Sequence, residues 1–230
     1  MIVTIDGPAG TGKSTVARKV AERLGFDFLD TGAMYRTIGL EALRRNVSLK
    51  DSRELAFVAK HCRIEFDWKK RPPAVLLNGE PVSHLLRGYD VTSAASHVAA
   101  IPAVRERLVL EQQRIGAEHG NLVTEGRDQG TVVFPEAALK IYLDATPQER
   151  ARRRVAQLRA RGEMVNSEDV LREILERDKR DSSRAVGPLA VPAGAEVIDT
   201  THLQEDQVVD RIVEAARARR PQARAGGVGV

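Results

Sequence analysis

The chain has 230 residues, 42% of them hydrophobic and 30% charged, and its 36 Lys and Arg against 32 Asp and Glu leave a formal charge of only +4. That length buries one substantial core with small appended lobes and is tight for two full domains. The single cysteine, Cys62, excludes an intramolecular disulfide and a cysteine-rich metal site. No stretch approaches the ~18 apolar residues of a membrane span. Met1 enters a strand without a basic and apolar leader. The expectation is a soluble, cytoplasmic protein that uses no membrane and requires no nucleic acid.

Met1 to Asp6 reads as a short apolar strand, and Val16, Ala17, Val20 and Leu24 recur at the spacing of a buried helix face. Between them Gly7, Pro8, Ala9, Gly10, Thr11, Gly12, Lys13, Ser14 and Thr15 form G-x-x-x-x-G-K-[ST] between a strand and a helix. The unpaired N–H groups of such a turn and helix start converge on one spot, where the helix dipole also favours negative charge. Lys13 adds a cation within reach of β- and γ-phosphate oxygens, and the Ser14 hydroxyl suits Mg²⁺. This part of the chain therefore reads as an ATP or GTP site.

Phe26 to Asp30 is a second strand, and Thr31-Gly32 opens a helix with Tyr35 and Arg36 in its first turn. Strand, helix, strand, helix implies a parallel sheet. After a helix over Ser52 to His61, with Cys62 on its buried side, Arg63 to Trp68 and Ala74 to Leu77 read as strands, and Asn78-Gly79 reads as a hairpin turn. This small antiparallel insert ends near Arg87, and its Trp68 and Lys69-Lys70-Arg71 run reads as a solvated hairpin edge. Val91 to Ala100 and Val104 to Ala117 are helical, divided at Pro102, with Val104, Leu108 and Ile115 facing the core.

Leu122 to Thr124 is a third core strand that ends in Glu125-Gly126-Arg127-Asp128, at the strand end where open α/β sheets place ligands. Leu139 to Leu143, ending in Asp144, and Glu196 to Ile198 complete five strands. Between these two lies a basic helical excursion. Thr146, Pro147 and Glu149 make a capped helix start with a capping box, and Arg150, Arg152, Arg153, Arg154, Arg159 and Arg161 follow before Gly162. A second helix begins near Asn166 or Ser167 and runs to about Arg180, its apolar face set by Val170, Leu171, Ile174 and Leu175. The pair, about residues 146–166 at its moving part, is expected to act as a lid. A packed helix holds Val208, Val209, Ile212 and Val213, and residues 217–230 read as a basic, disordered tail. One domain over 1–216 results.

The second site decides the chemistry. The N-K-x-D sequence of many GTPase switches does not occur. Instead Arg36, Arg127 and the trio Arg177, Asp181, Arg184, spaced i, i+4, i+7, suggest a second anionic ligand gripped by guanidinium forks. A hydroxyl-phosphorylating metabolite kinase would want a positioned base in addition, and a nucleotide switch would want no second substrate at all. The metal's carboxylate partner stays open between Asp128 and Asp144, both at strand ends.

Taken together, GPAGTGKST, DTGAMYR at Asp30 to Arg36, SAAS at Ser93 to Ser96, VRERL at Val104 to Leu108, EGRDQGTVVFP at Glu125 to Pro135 and RDKRDSSRAVGPL at Arg177 to Leu189 resemble the bacterial cytidylate kinases. The resemblance spans the chain to about Ala216. Gln129 departs from it, standing where the family usually has an apolar residue. It implies a phosphate-loop kinase fold: a five-stranded parallel sheet flanked by helices, a monophosphate-binding insert at about 63–87 and a lid. It also implies transfer of the ATP γ-phosphoryl group to CMP or dCMP, with Mg²⁺, by a monomer. Carried onto matching positions, Thr31, Tyr35, Arg36 and Arg127 would hold the acceptor phosphate, and Ser96, Arg105 and Asp128 would read the base. Arg177 and Asp181 would hold the sugar, Arg184 would lie beside the acceptor, and Arg152 and Arg153 would close on ATP. Lys13, Arg36, Arg127 and Arg184 would carry the transfer itself.

Overall fold

The computed structural model describes residues 1–219. In chain order the elements are β1 (Ile2–Asp6), α1 (Lys13–Leu24), β2 (Asp27–Asp30), α2 (Thr31–Arg44), α3 (Ser52–His61), β3 (Ile64–Asp67), β4 (Ala74–Leu77) and β5 (Glu80–Pro81). They continue with α4 (Tyr89–Val98), α5 (Pro102–His119), β6 (Leu122–Glu125), a π-helical turn at Gln129–Val133, β7 (Leu139–Asp144), α6 (Pro147–Arg159), α7 (Ser167–Ser182), β8 (Glu196–Asp199) and α8 (Glu205–Arg219).

Five strands pair in the order β2-β6-β1-β7-β8, every neighbour parallel. The strand feeding the phosphate loop is therefore central. Because successive strand residues face opposite sides, the sheet feeds two cores. Phe28, Val123, Val3 and Ile5 pack with α1 and α8 on one side, while Leu29 and Leu122 pack with α2, α3 and α5 on the other. The register brings Ile5 and Asp30 beside Glu125, and Asp6 beside Tyr142. All the polar strand ends thus lie along one edge, as the crevice rule for parallel sheets requires.

The insert is the separate sheet β3-β4-β5. Asn78 and Gly79 both take positive φ, 52° and 87°, the geometry of a tight hairpin whose twist matches its strands. Trp68 is not on a free edge. Its ring lies 3.9 Å from that of His119 at the end of α5, which fastens the insert to the main core, while Lys69, Lys70 and Arg71 are exposed. Pro102 sits at the first position of α5, where its missing N–H costs nothing.

The helix start at Thr146 is only half a capping box. Thr146 accepts from the Glu149 amide at 3.3 Å, but the Glu149 carboxylate turns outward to Arg152 and Arg153, and the Thr146 amide donates to Thr201 instead. Val170 and Ile174 close the small core of α6 and α7 with Ala151, Val155 and Leu158, whereas Leu175 is 49% exposed. Tyr35 and Arg36 fall in the second turn of α2 rather than its first, since the helix starts at Thr31. α8 reaches Arg219, so residues 217–219 of the expected tail are helical, and the rest of it, 220–230, lies outside the described residues.

Candidate active site

The turn between β1 and α1 is drawn tightly against the sheet. A Cβ at Gly7, where φ is 143°, would fall 2.0 Å from the Leu143 carbonyl oxygen, so only glycine lets the chain pass β7 here. Gly12, also at positive φ, caps α1 without a side chain, which leaves the first amides of the helix for an anion. Lys13 is buried and donates to the Pro8 carbonyl at 2.6 Å. Burial, helped by the cations Arg127 and Arg177 and opposed by Glu125 and Asp6, brings its ammonium down to about 7. Ser14 donates to the Glu125 carboxylate at 2.6 Å. Glu125 is itself held above the usual carboxylate range by burial and by Asp30, against Lys13 and Ser14.

Across a cleft of about 300 Å³ stand the residues expected for the second ligand. Thr31, Tyr35, Arg36, Ser96, Arg105, Arg127, Asp128, Arg177, Asp181 and Arg184 all line it, together with Ala9, Gly10, Gly12, Lys13, Ser14 and Thr15 of the loop. Asp30 caps α2 through the Ala33 amide and holds Arg36 at 2.7 Å. Thr31 donates to the Glu125 carbonyl at 2.7 Å.

Arg105 is almost wholly buried, pairs with Asp128 and donates to the Ala99 carbonyl at 3.1 Å, with the Tyr35 ring 5.5 Å away. Beside this pair the Ser96 hydroxyl is buried without a hydrogen-bond partner. Burial pushes the Tyr35 phenol up to about 12, so it stays neutral.

The arginines converge on one carboxylate. Arg127 donates to Asp181 at 2.9 Å, and Arg184, which lies just past the end of α7, pairs with the same group. Burial would raise Asp181, yet Arg127, Arg184 and Arg177 together hold it low. Arg177 itself is brought down to about 10 by burial and by the neighbouring arginines, with Asp181 opposing. The Nε groups of Arg36, Arg177 and Arg184 are buried and unpartnered. Three cations around one anion leave this side of the cleft short of negative charge, which a phosphate would supply.

The other expected residues are distributed differently. Gly7 and Pro8 line neither recess, and Arg152 and Arg153 line a neighbouring one of about 620 Å³ with Thr11, Gly12, Thr200 and His202. Arg153 reaches the Thr200 hydroxyl at 3.1 Å and the Thr200 carbonyl at 2.5 Å. The lid residues that face the main cleft are instead Arg154, Gln157 and Arg161. Of the two carboxylates left open for the metal, Asp128 is committed to Arg105 and Asp144 is exposed, accepting from the Ala145 amide. Glu125 is the group that meets Ser14. Its signal in the sequence was its place at the end of the strand next to β1, which only the strand order reveals.

A central strand running into a phosphate loop, a helical lid beside it and an arginine cluster opposite define a phosphate-loop kinase. The cytidylate kinase family model matches residues 3–218. The chain is 49% identical over 215 residues to the cytidylate kinase of Caldanaerobacter subterraneus subsp. tengcongensis, covering 94% of each chain. It is 48% identical over 222 residues to that of Pelotomaculum thermopropionicum, covering 95% of this chain and 96% of that one. Among solved structures, an uncharacterized protein from Eubacterium ventriosum shares the fold at a TM-score of 0.53 and 15% identity, with 95% of this chain and 98% of that one covered. The chain belongs to the cytidylate kinase family.

Proposed function

We propose that this protein transfers the γ-phosphoryl group of ATP to CMP or dCMP, forming ADP and CDP or dCDP. The observation that carries the reading is the cluster of Arg127, Arg177 and Arg184 around Asp181, with Arg36 lining the same cleft, opposite Lys13. Phosphoryl transfer needs donor and acceptor aligned and the charge on the migrating group neutralised, and little else. The backbone N–H groups between Ala9 and Thr15 and the Lys13 ammonium take the donor phosphates. Arg36 and Arg127, with Thr31 and Tyr35, take the acceptor phosphate, and Arg177, Asp181 and Arg184 take the sugar side and the transferring group. An acceptor that is already a phosphate needs no general base.

The base pocket has the polarity of cytosine. Asp128 accepts from the exocyclic amine, while Arg105 and the unpartnered Ser96 hydroxyl donate to the ring acceptors. The recess holding Arg152, Arg153 and Thr200 to Leu203 adjoins the phosphate loop and takes the rest of the ATP. Arg154 and Arg161, on the cleft side of the lid, face the phosphates.

The Ser14 hydroxyl and Glu125 carboxylate form a hard-oxygen pair beside Lys13, and such a pair fits Mg²⁺ completed by phosphate oxygens and water. When bound, Mg²⁺ would neutralise β- and γ-phosphate charge. Every residue given a role belongs to one chain, so the reading needs no second copy, and we take the working form to be a cytoplasmic monomer. Among the described residues no helix is long and apolar enough to cross a membrane.

Release of ADP, measured with CMP, dCMP, UMP, AMP, GMP and shikimate as acceptors, tests the reading. CMP and dCMP should lead by at least ~10-fold in kcat/KM, since each mismatched buried polar group costs ~1 to 3 kcal/mol. Equal turnover of UMP or AMP would overturn it.

A further inference from the structure

Asp6 ends β1 immediately before the phosphate loop and is fully buried, yet no step above uses it. Its Oδ1 accepts from the Gln129 amide at 2.8 Å and its Oδ2 from the Gly130 amide at 2.7 Å. Those are successive amides of the π-helical turn that follows Arg127 and Asp128 directly. We propose that Asp6 is a positioning residue: by holding both amides, its carboxylate sets the distance between the phosphate loop and the two acceptor-binding residues Arg127 and Asp128.

The turn is pinned from other sides as well. The Gln129 side chain accepts from Thr124 at 2.8 Å and donates to Gln112 at 2.9 Å, so the polar residue at this position is fully engaged. Gly130 packs so closely on Pro192 that a Cβ would fall 2.8 Å from its ring. With its far side fixed in this way, the turn itself is tied to the end of β1 through the two bonds to Asp6.

Folding alone does not account for a carboxylate here. Burial pushes Asp6 up to about 7, against the two amide bonds, with Asp128 raising it further and Lys13 lowering it, and Tyr142 faces it from β7. A group whose pKa is higher folded than unfolded adds stability that is present below its unfolded value and lost as pH rises to its folded one. Ionised Asp6 therefore weakens the fold near neutral pH. What it provides is geometry: two acceptors for two buried donors, which an amide cannot match, because its Nδ2 would face an N–H.

The inference rests on the reading of Arg127 and Asp128 as acceptor ligands, so Arg127→Lys is measured alongside. Asp6→Asn is expected to raise the KM for CMP roughly 5- to 30-fold and to lower the CMP-over-UMP ratio, with the KM for ATP within about 2-fold of wild type. Asp6→Glu keeps both acceptors on a longer stem and is expected to show the same split, smaller in size; it serves should the asparagine variant not fold by circular dichroism. Wild-type KM for CMP in a folded variant, or equal shifts for CMP and ATP, overturns the proposal. If Arg127→Lys alone shifts the CMP KM, the acceptor reading stands and the role of Asp6 falls. If neither variant shifts it, the acceptor reading falls as well.

Discussion

The Arg150 guanidinium lies 2.6 Å from the Asp178 carboxylate, and the same guanidinium donates to the Ala9 carbonyl of the phosphate loop at 3.1 Å and to the Ala145 carbonyl at 3.0 Å. One buried side chain thus joins the loop proposed to take the donor, the start of α6, and α7 between Arg177 and Asp181. The outward-facing lid arginines are the ones hydropathy makes conspicuous. Arg150, buried beneath them, ties the lid to the loop.

Arg150→Met should therefore hurt both stability and the donor site. Leaving Asp178 without its cation costs ~3 kcal/mol for a buried pair, which in a chain of this size lowers Tm by ~6 to 12 °C. The KM for ATP should rise roughly 10-fold as Ala9 loses its anchor. Thermal unfolding followed by circular dichroism, with ATP titrations below the new Tm, checks both. An unchanged Tm would mean that Asp178 finds solvent at no cost.

Lys13→Ala should leave a folded protein with turnover at least ~10²-fold lower, because the ammonium acts on charge that develops in transfer. Its pKa gives a second readout. With the ammonium near 7 when it faces Pro8, Arg127 and Arg177, bound phosphates must raise it, so nucleotide binding at pH 7.5 to 8 takes up protons. Calorimetry of ATP binding in buffers of different ionisation enthalpy should show that uptake, and Lys13→Met should remove its Lys13 share. Identical uptake in the two proteins would assign the protons elsewhere.

Arg36→Lys and Arg127→Lys keep charge but lose the planar fork. The guanidinium contacts of Arg36 to Asp30 and of Arg127 to Asp181 would be lost, and neither lysine could offer phosphate a planar pair of N–H groups. The KM for CMP or the turnover should suffer by ~10-fold or more while ATP affinity persists. Steady-state kinetics with each substrate varied in turn separates this from a merely structural pairing, in which both substrates would be affected alike.

Asp128→Asn should narrow the gap between CMP and UMP. An amide can donate to the uracil carbonyl where the carboxylate could only repel it, although Arg105 then loses its ion-pair partner. The kcat/KM ratio of the two pyrimidines should move toward one by ~10-fold or more. A parallel fall on both substrates would place Asp128 in the support of Arg105 and not in base reading.

The sequence by itself determined what depends on near neighbours along the chain. Gly7 to Thr15 made a phosphate loop because its glycines, lysine and hydroxyl act within one turn. Asn78-Gly79 set the hairpin, Pro102 the start of α5 and Thr146 that of α6, each through local φ or a single side-chain bond. Arg36, Arg127, Arg177 and Arg184 were legible as candidates because the family resemblance assigned them roles, and the cleft brings all four together.

Only the tertiary structure decided which of these groups meet. Strand order β2-β6-β1-β7-β8 is not encoded in hydropathy, because all five strands read as similar apolar runs. That order places Glu125 against Ser14 across 111 residues, leaving Asp144 exposed at its own strand end. It likewise brings Asp6 to the turn beyond Asp128 and Arg150 to Ala9. The side of α6 that faces the cleft was equally hidden: in a helix whose arginines occupy nearly every face, periodicity cannot choose, and packing on α7 chose Arg154 and, just past the helix end, Arg161. Burial then set the charge balance, since Lys13, Asp6 and Arg177 depart from their ordinary pKa values first through loss of water around them, a property of the folded interior and not of any segment.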